Sequence, residues 1–318
     1  EGYSPFELIK ISENLTNEAT FTWFKNQFPL IAERSAREFE QRKLQQLQKQ
    51  RTPISIVREE LEQLQFHPLL LNEDFDPYYL IIRGAVTRIS AFSNIGKSKL
   101  GYYLLHQLLK NGKRGVLFST EVPRAIVLAN LILIDHDLGF WNVVKHKVSL
   151  PPVIDDQFKN LEIYDVRQTK NKLELMEPFF KGMDFVFIDF VQGVIPKERT
   201  EGLYEKMTAY AFEIQAMAQQ YECAIVDFSQ VSNSSLSDLH ADVGFIGAKG
   251  SGDLFSSADI CALLKRDKTG ANPNEMVIDI RKHKYCPPQI LNVDCNFTRG
   301  TFTKSRSQVQ FDTFDSPL

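Results

Sequence analysis

Residues 80–121 read LIIRGAVTRISAFSNIGKSKLGYYLLHQLLKNGKRGVLFSTE: an apolar segment, a short polar loop, an amphipathic stretch of helical period, and an apolar strand ending in a carboxylate. No other part of the chain constrains the fold as strongly. Two strands joined through a helix lie parallel, and a parallel sheet is stable only when both faces are covered. The loop comprises Ala91, Phe92, Ser93, Asn94, Ile95, Gly96, Lys97 and Ser98. It fits the phosphate-binding signature, with Ala91 where the first glycine usually stands. Gly96 lets consecutive amides turn toward phosphate oxygens, Lys97 reaches the β and γ phosphates, and Ser98 coordinates magnesium through its hydroxyl. The segment therefore implies ATP or another nucleoside triphosphate, with Mg2+, as cofactors.

From residue 78 onward apolar runs alternate with amphipathic ones, which predicts a mostly parallel sheet sandwiched by helices. Strands are expected over 80–82 with 86–89, 115–119, 161–164, 185–189, 224–229, 260–265, 277–281 and 289–294. Helices are expected over 97–110, 123–138, 173–181 and 203–221. The tail after Thr303 is polar and reads as loosely ordered. Residues 1–75 differ: they are rich in Glu, Gln, Arg and Lys, with a narrow apolar stripe at Ile31, Phe39, Leu44 and Leu47, resumed at Ile56, Leu61 and Leu64. Two or three helices broken near Pro53 are expected there. Two domains follow, a helical linker or oligomerisation segment over 1–75 and an ATPase domain over 76–318. So narrow a stripe cannot bury itself, which suits packing on a neighbouring subunit as well as a bundled linker.

Bulk charge announces no partner, since 37 basic residues against 40 acidic ones leave −3 at pH 7. Any DNA contact must come from a local patch. Cys223, Cys261, Cys286 and Cys295 form no CxxC pair, which suits reduced thiols in a cytoplasmic compartment. No apolar run approaches the roughly 18 residues of a membrane span, so no membrane partner is expected. The chain starts at Glu1 without an initiator methionine, as a piece of a longer protein would.

Several strand ends carry candidate chemistry. Glu121 follows the strand over 115–119, where ligands of open parallel sheets sit. It reads either as the base that deprotonates an attacking water or as a charge at the start of the helix after Pro123. Asp189 ends the run Phe-Val-Phe-Ile and, beside the phosphate loop, reads as the acid that holds magnesium through water. Gln230 ends another strand, as a γ-phosphate sensor or as a simple cap. The stretch that follows is long and poor in regular pattern. Its glycines and serines, with Lys249 and Gly250, Ser251 and Gly252 beside it, suit tracking of a nucleic-acid backbone, with disorder as the competing reading. In Arg281-Lys-His-Lys284, alternation sets Lys282 and Lys284 on one side. They read as a solvated edge or as cations reaching the γ-phosphate of an adjacent subunit. His283 reads as a surface residue.

Taken in order, AxxxxGKS, LFSTE, FIDFVQ, FSQVSN, KGSGDLFSSAD and RKHK resemble the motifs of the RecA-like ATPase core of DnaB-type replicative helicases, over roughly residues 78–303. The resemblance implies a ring, usually a hexamer, that hydrolyses nucleotide at subunit interfaces and draws single-stranded DNA through its centre. Carried over by motif, Lys97 and Ser98 bind phosphate and magnesium, Glu121 is the base, Asp189 the second magnesium contact and Gln230 the sensor. Ser251, Gly252 and the loop around Lys249 face DNA, and Lys282 and Lys284 reach the neighbour's nucleotide. The family commonly has arginine where Lys284 stands, and a lysine pair is more similar to the RecA recombinases. The alternative is therefore a RecA- or KaiC-like ATPase that assembles on DNA or protein without unwinding. Ser4-Pro-Phe-Glu-Leu-Ile is similar to the end of a primase catalytic domain in fused primase-helicases, which implies a primase domain or primase protein as partner.

Overall fold

A computed structural model describes residues 10–13, 16–28, 53–54, 56, 58, 67–167, 173–197, 202–231, 257–269 and 272–306. The chain divides into two compact units, Glu1–Gln65 and Phe66–Leu318. In the first unit helix α1 spans Asn17–Gln27. Thr16 caps it, its hydroxyl accepting the Ala19 N–H at 3.2 Å, and Lys25 in the last turn meets the negative end of the dipole. The helices expected over 28–65 fall almost wholly outside the described residues.

The second unit is built on one nine-stranded sheet in the order β3-β2-β4-β5-β1-β6-β7-β8-β9. The strands are β1 Val86–Ala91, β2 Gly115–Ser119, β3 Leu161–Asp165, β4 Phe185–Asp189, β5 Ala224–Gln230, β6 Ile260–Lys265, β7 Glu275–His283, β8 Gln289–Asn296 and β9 Thr301–Lys304. The first six run parallel and β7, β8 and β9 antiparallel. Helices are α2 Lys97–Lys110, α3 Arg124–Asp135, α4 Phe140–Val144, α5 Ile154–Gln157, α6 Leu173–Met176 and α7 Leu203–Gln220.

Continuous apolar runs form these strands because both faces are covered. Along β4, Phe185 and Phe187 enter one core with Leu100, Leu104 and Phe228, while Val186 and Ile188 enter the opposite one with Tyr210, Ile214 and Met217. Helix α2 lies close against β5. A Cβ on Gly101 would stand 2.5 Å from the Phe228 ring, so only glycine permits that approach.

Three expectations are corrected. Residues 80–82 make an isolated bridge, Pro68 to Ile82, and no strand, because Tyr79 (φ 46°) and Gly84 (φ 74°) turn the chain at either side. Thr301–Lys304 is a strand, hidden in the sequence because Phe302 is its only large apolar residue; pairing with β8 supplies the rest. Residues 67–75 belong with the second unit and not with the helical segment. Leu69, Leu71 and Phe75 are buried, Phe75, Tyr103 and Phe302 form a row with centroids 5.7 and 5.5 Å apart, and Asn72 Nδ2 donates to the Tyr103 hydroxyl at 2.8 Å.

Candidate functional site

Strand β1 lies between β5 and β6 at the middle of the sheet, and the phosphate loop leaves its carboxyl end. Ala91 closes the strand: it is fully buried and its carbonyl accepts the Val231 N–H at 3.0 Å. The loop then turns through two left-handed residues, Asn94 at φ 61° and Gly96 at φ 113°. At Gly96 a side chain is barred twice, by the angle and by space, since a Cβ would meet Phe297 at 2.5 Å and Met276 at 3.1 Å. Helix α2 begins at Lys97 with no side-chain cap and no acid in its first turn, which leaves its amino-terminal amides for an anion.

Two strand ends bring the acids to this loop. Ser119 of β2 lies in register with Asp189 of β4. The Thr120 N–H donates to Asp189 O at 2.8 Å, and the Thr120 hydroxyl accepts the Phe190 N–H at 2.8 Å, so one threonine ties the two exits together. Asp189 is buried at 2 % exposure and receives a hydrogen bond from Ser98. Burial pushes its pKa up, against the pull of Lys97 and Ser98. Burial also lowers the pKa of Lys97, with Asp189 and then Glu121 opposing. The second Asp189 oxygen, Oδ1, is buried without a hydrogen-bond partner. An orphaned carboxylate oxygen beside a serine hydroxyl fits the hydration shell of a hard divalent cation, so the residues present suit magnesium.

Glu121 is exposed two residues beyond β2, in a turn made by Ser119, whose hydroxyl donates to Val122 O at 2.6 Å. Pro123 is the N-cap of α3 and the first helical turn contains no acid, so Glu121 is not among the helix's first-turn charges. Its field reaches both Lys97 and the buried Tyr102. Gln230 ends β5 beside Ala91, and its amide donates to the Ser93 hydroxyl within the phosphate loop.

Gln192, which the sequence did not single out, holds the end of β5. Its Nε2 donates to Ser229 Oγ at 3.2 Å and Gln230 O at 3.1 Å, its Oε1 accepts the Gln230 N–H at 3.3 Å, and Lys206 Nζ donates to its carbonyl at 3.3 Å. Its only signal was a place three residues after Asp189. Arg266 and Phe297 were missed as well. The Arg266 guanidinium stacks 3.6 Å from the Phe297 ring centroid, and that ring is the one against Gly96. They sit beyond the ends of separate strands, far apart in the chain, and nothing in the sequence pairs them.

Lys282 and Lys284 lie at the end of β7, an interior strand, on the side of the sheet where β1 begins and opposite the phosphate loop. Lys284 N–H donates to Asp259 O at 2.9 Å and its Nζ to Asp259 Oδ1 at 3.1 Å, while Asp259 Oδ2 accepts the N–H of Val86, the first residue of β1. The six residues of β1, at about 3.3 Å each, separate them from their own phosphate loop by roughly 20 Å. His283 is corrected from a surface residue to a buried one at 8 % exposure, its Nδ1 accepting the Tyr285 N–H at 3.3 Å and its Nε2 3.3 Å from Tyr79 O. Burial lowers its pKa. Lys249, Gly250, Ser251 and Gly252 lie outside the described residues. Among the described residues no helix is long and apolar enough to cross a membrane, and no cluster of three metal-ligating side chains occurs.

A family model described as the DnaB-like helicase C-terminal domain matches residues 81–304. No curated protein matches the chain. Among solved structures, one described as an ATPase domain aligns with a TM-score of 0.65 at 17 % identity, over 79 % of this chain and 97 % of that one. A DnaB-like replicative helicase described with its interactions with primase aligns at 0.65 and 15 % identity, over 90 % and 78 %. The RadB recombinase aligns at 0.50 and 14 %, over 73 % and 98 %. At these identities the structures speak for the fold.

Proposed function

This chain belongs to the family of DnaB-like helicases, whose C-terminal domain spans residues 81–304, and we propose that it uses the cleft described above to hydrolyse ATP as it moves on single-stranded DNA. A DnaB-like domain is an NTP-hydrolysing replicative helicase with a RecA-like ATPase fold. The observation that supports this site reading best is the buried Asp189 grouped with the half-buried Lys97 and Ser98 at an uncapped helix start.

The amides of residues 93–98 cradle the phosphates and Lys97 neutralises the β and γ charge. Ser98 and Asp189 hold magnesium, which would supply charge neutralisation on the phosphoryl oxygens. Glu121, exposed at the mouth, takes the proton of the attacking water. Gln230 reads the γ-phosphate and shares its state with the loop through Ser93. The Phe297 ring beside Gly96, with Arg266 over it, offers a stacking surface for the nucleotide's base.

The second wall of the site comes from a neighbour in a ring, for which six subunits is the expected number, because Lys282 and Lys284 are too far from their own loop. The backbone of residues 249–252 follows the DNA strand. A primase is a partner consistent with the solved helicase described with one. The test is DNA-stimulated ATPase together with displacement of a strand from a forked duplex. Lys97→Ala should abolish both. Unchanged turnover in Lys97→Ala removes the loop from the site, and ATPase without strand displacement in the unaltered protein overturns the helicase reading.

A further inference from the structure

Tyr102 presents a buried hydroxyl that the packing of the core does not explain. It lies on α2 one helical turn after Ser98, so the two side chains share a face. The residue is 5 % exposed, and its hydroxyl has no hydrogen-bond partner. Its neighbour Tyr103 shows the contrast: that hydroxyl is engaged by Asn72 at 2.8 Å. Burying a phenol without a partner costs free energy that a phenylalanine of the same shape would not. Leaving the core apolar would therefore have been the more stable choice, and the hydroxyl needs another account.

Its surroundings supply one. The two charged groups that act on the phenol are Asp189 and Glu121, the magnesium acid and the base of the proposed site. An ordinary phenol, with a pKa of about 10, is neutral at physiological pH and keeps its proton. Asp189 Oδ1 is likewise buried and without a partner. Two orphaned polar atoms thus lie within electrostatic reach of one another, the phenol on the same helix face as Ser98. A neutral phenol can accept a hydrogen bond from a cation-bound water while its own proton turns toward a carboxylate.

We infer that Tyr102 is a positioning residue for the divalent cation, its hydroxyl taking part with Asp189 Oδ1 in holding the cation's water shell. The inference rests on the nucleotide-site reading given above. It assigns to the helix after the phosphate loop a role that lies beyond the loop's own signature.

The experiment is a Mg2+ titration of the binding of a fluorescent ATP analogue to the full chain, unaltered and as Tyr102→Phe, with thermal unfolding of each protein free of nucleotide. Tyr102→Phe should raise the Mg2+ concentration at half-maximal binding about 10-fold, the scale seen when a partner outside the first ligand shell is removed. Its nucleotide-free unfolding temperature should be unchanged or higher, because an orphaned hydroxyl is gone. An unchanged Mg2+ midpoint overturns the inference and leaves the nucleotide site standing. A Tyr102→Phe chain that fails to fold shows the hydroxyl to be structural and overturns it too. Binding by the unaltered chain that ignores Mg2+ instead removes the site reading itself. In Asp189→Asn, where one partner of the shell is already lost, adding Tyr102→Phe should raise the midpoint by less than it does alone; a full effect of about 10-fold there would separate Tyr102 from Asp189 and overturn the pairing.

Discussion

Single residues at the site divide by exposure. Asp189 is buried and Lys97 and Ser98 half-buried, and the charges of Lys97 and Asp189 are tuned against one another before any ligand arrives. Glu121 stands in solvent, where its carboxylate can meet a water without an opposing desolvation cost. Glu121→Gln should therefore keep nucleotide affinity and slow hydrolysis by roughly 10²–10⁴, the range of a lost general base, read by comparing analogue binding with single-turnover hydrolysis. Equal losses in both would make Glu121 a binding group. Lys97 and Asp189 offer no such separation, because substituting either also disturbs the burial and charge balance that the two share.

At the level of elements, the strands that bear the site are tied by a polar pair inside the core. Arg88 of β1 and Asp227 of β5 face each other in register, 1 % and 0 % exposed, with Arg88 Nε donating to Asp227 Oδ1 at 2.7 Å and the Tyr210 hydroxyl of α7 donating to Oδ2 at 3.1 Å. Asp227→Ala would strand a buried guanidinium and should cost about 3–5 kcal/mol in urea unfolding, whereas replacing Arg88 and Asp227 together by Met and Leu should cost far less. Equal losses would argue against a charge effect. The helices α2, α3 and α5 meet at a second polar point, where His106 Nε2 lies 2.7 Å from Asp135 Oδ2 and Lys110 and Gln157 also donate to that carboxylate. The His106 hydrogen bond leads in holding Asp135 down at a pKa of about 2, from an ordinary 3.8. A depressed carboxylate stabilises the fold above its unfolded pKa, and that contribution fades as pH falls from about 4 through 2. Asp135→Asn should thus cost about 1–2 kcal/mol at pH 6, allowing for partial exposure, and almost nothing near pH 2. A pH-independent loss would assign the effect to geometry alone.

In the whole molecule the phosphate loop and the Lys282–Lys284 pair lie at opposite ends of the strands. Lys284, held by Asp259 at the start of β1, cannot reach the loop at its end. Lys284→Ala and Glu121→Gln should each lose ATPase, and mixing them should restore part of it, since some interfaces then pair an intact loop with an intact lysine; no recovery would count against catalysis across subunits. The strand–loop–helix pattern, the order of the motifs and the acids at strand ends were legible in the sequence, because apolar period, glycine and strand-terminal polarity are local properties. On that basis the chain by itself determined the parallel α/β fold and singled out Lys97, Ser98, Glu121, Asp189 and Gln230 as candidates for one cleft. Only the tertiary structure decided that residues 67–75 join the ATPase body, that Thr301–Lys304 adds a ninth strand, and that His283 is buried. It alone placed Gln192 on the end of β5 and Phe297, with Arg266, against Gly96, and showed the Tyr102 hydroxyl buried without a partner. Each of these depends on which side chains meet across distant segments, and that is set by packing and strand register, to which no short stretch of sequence is tied.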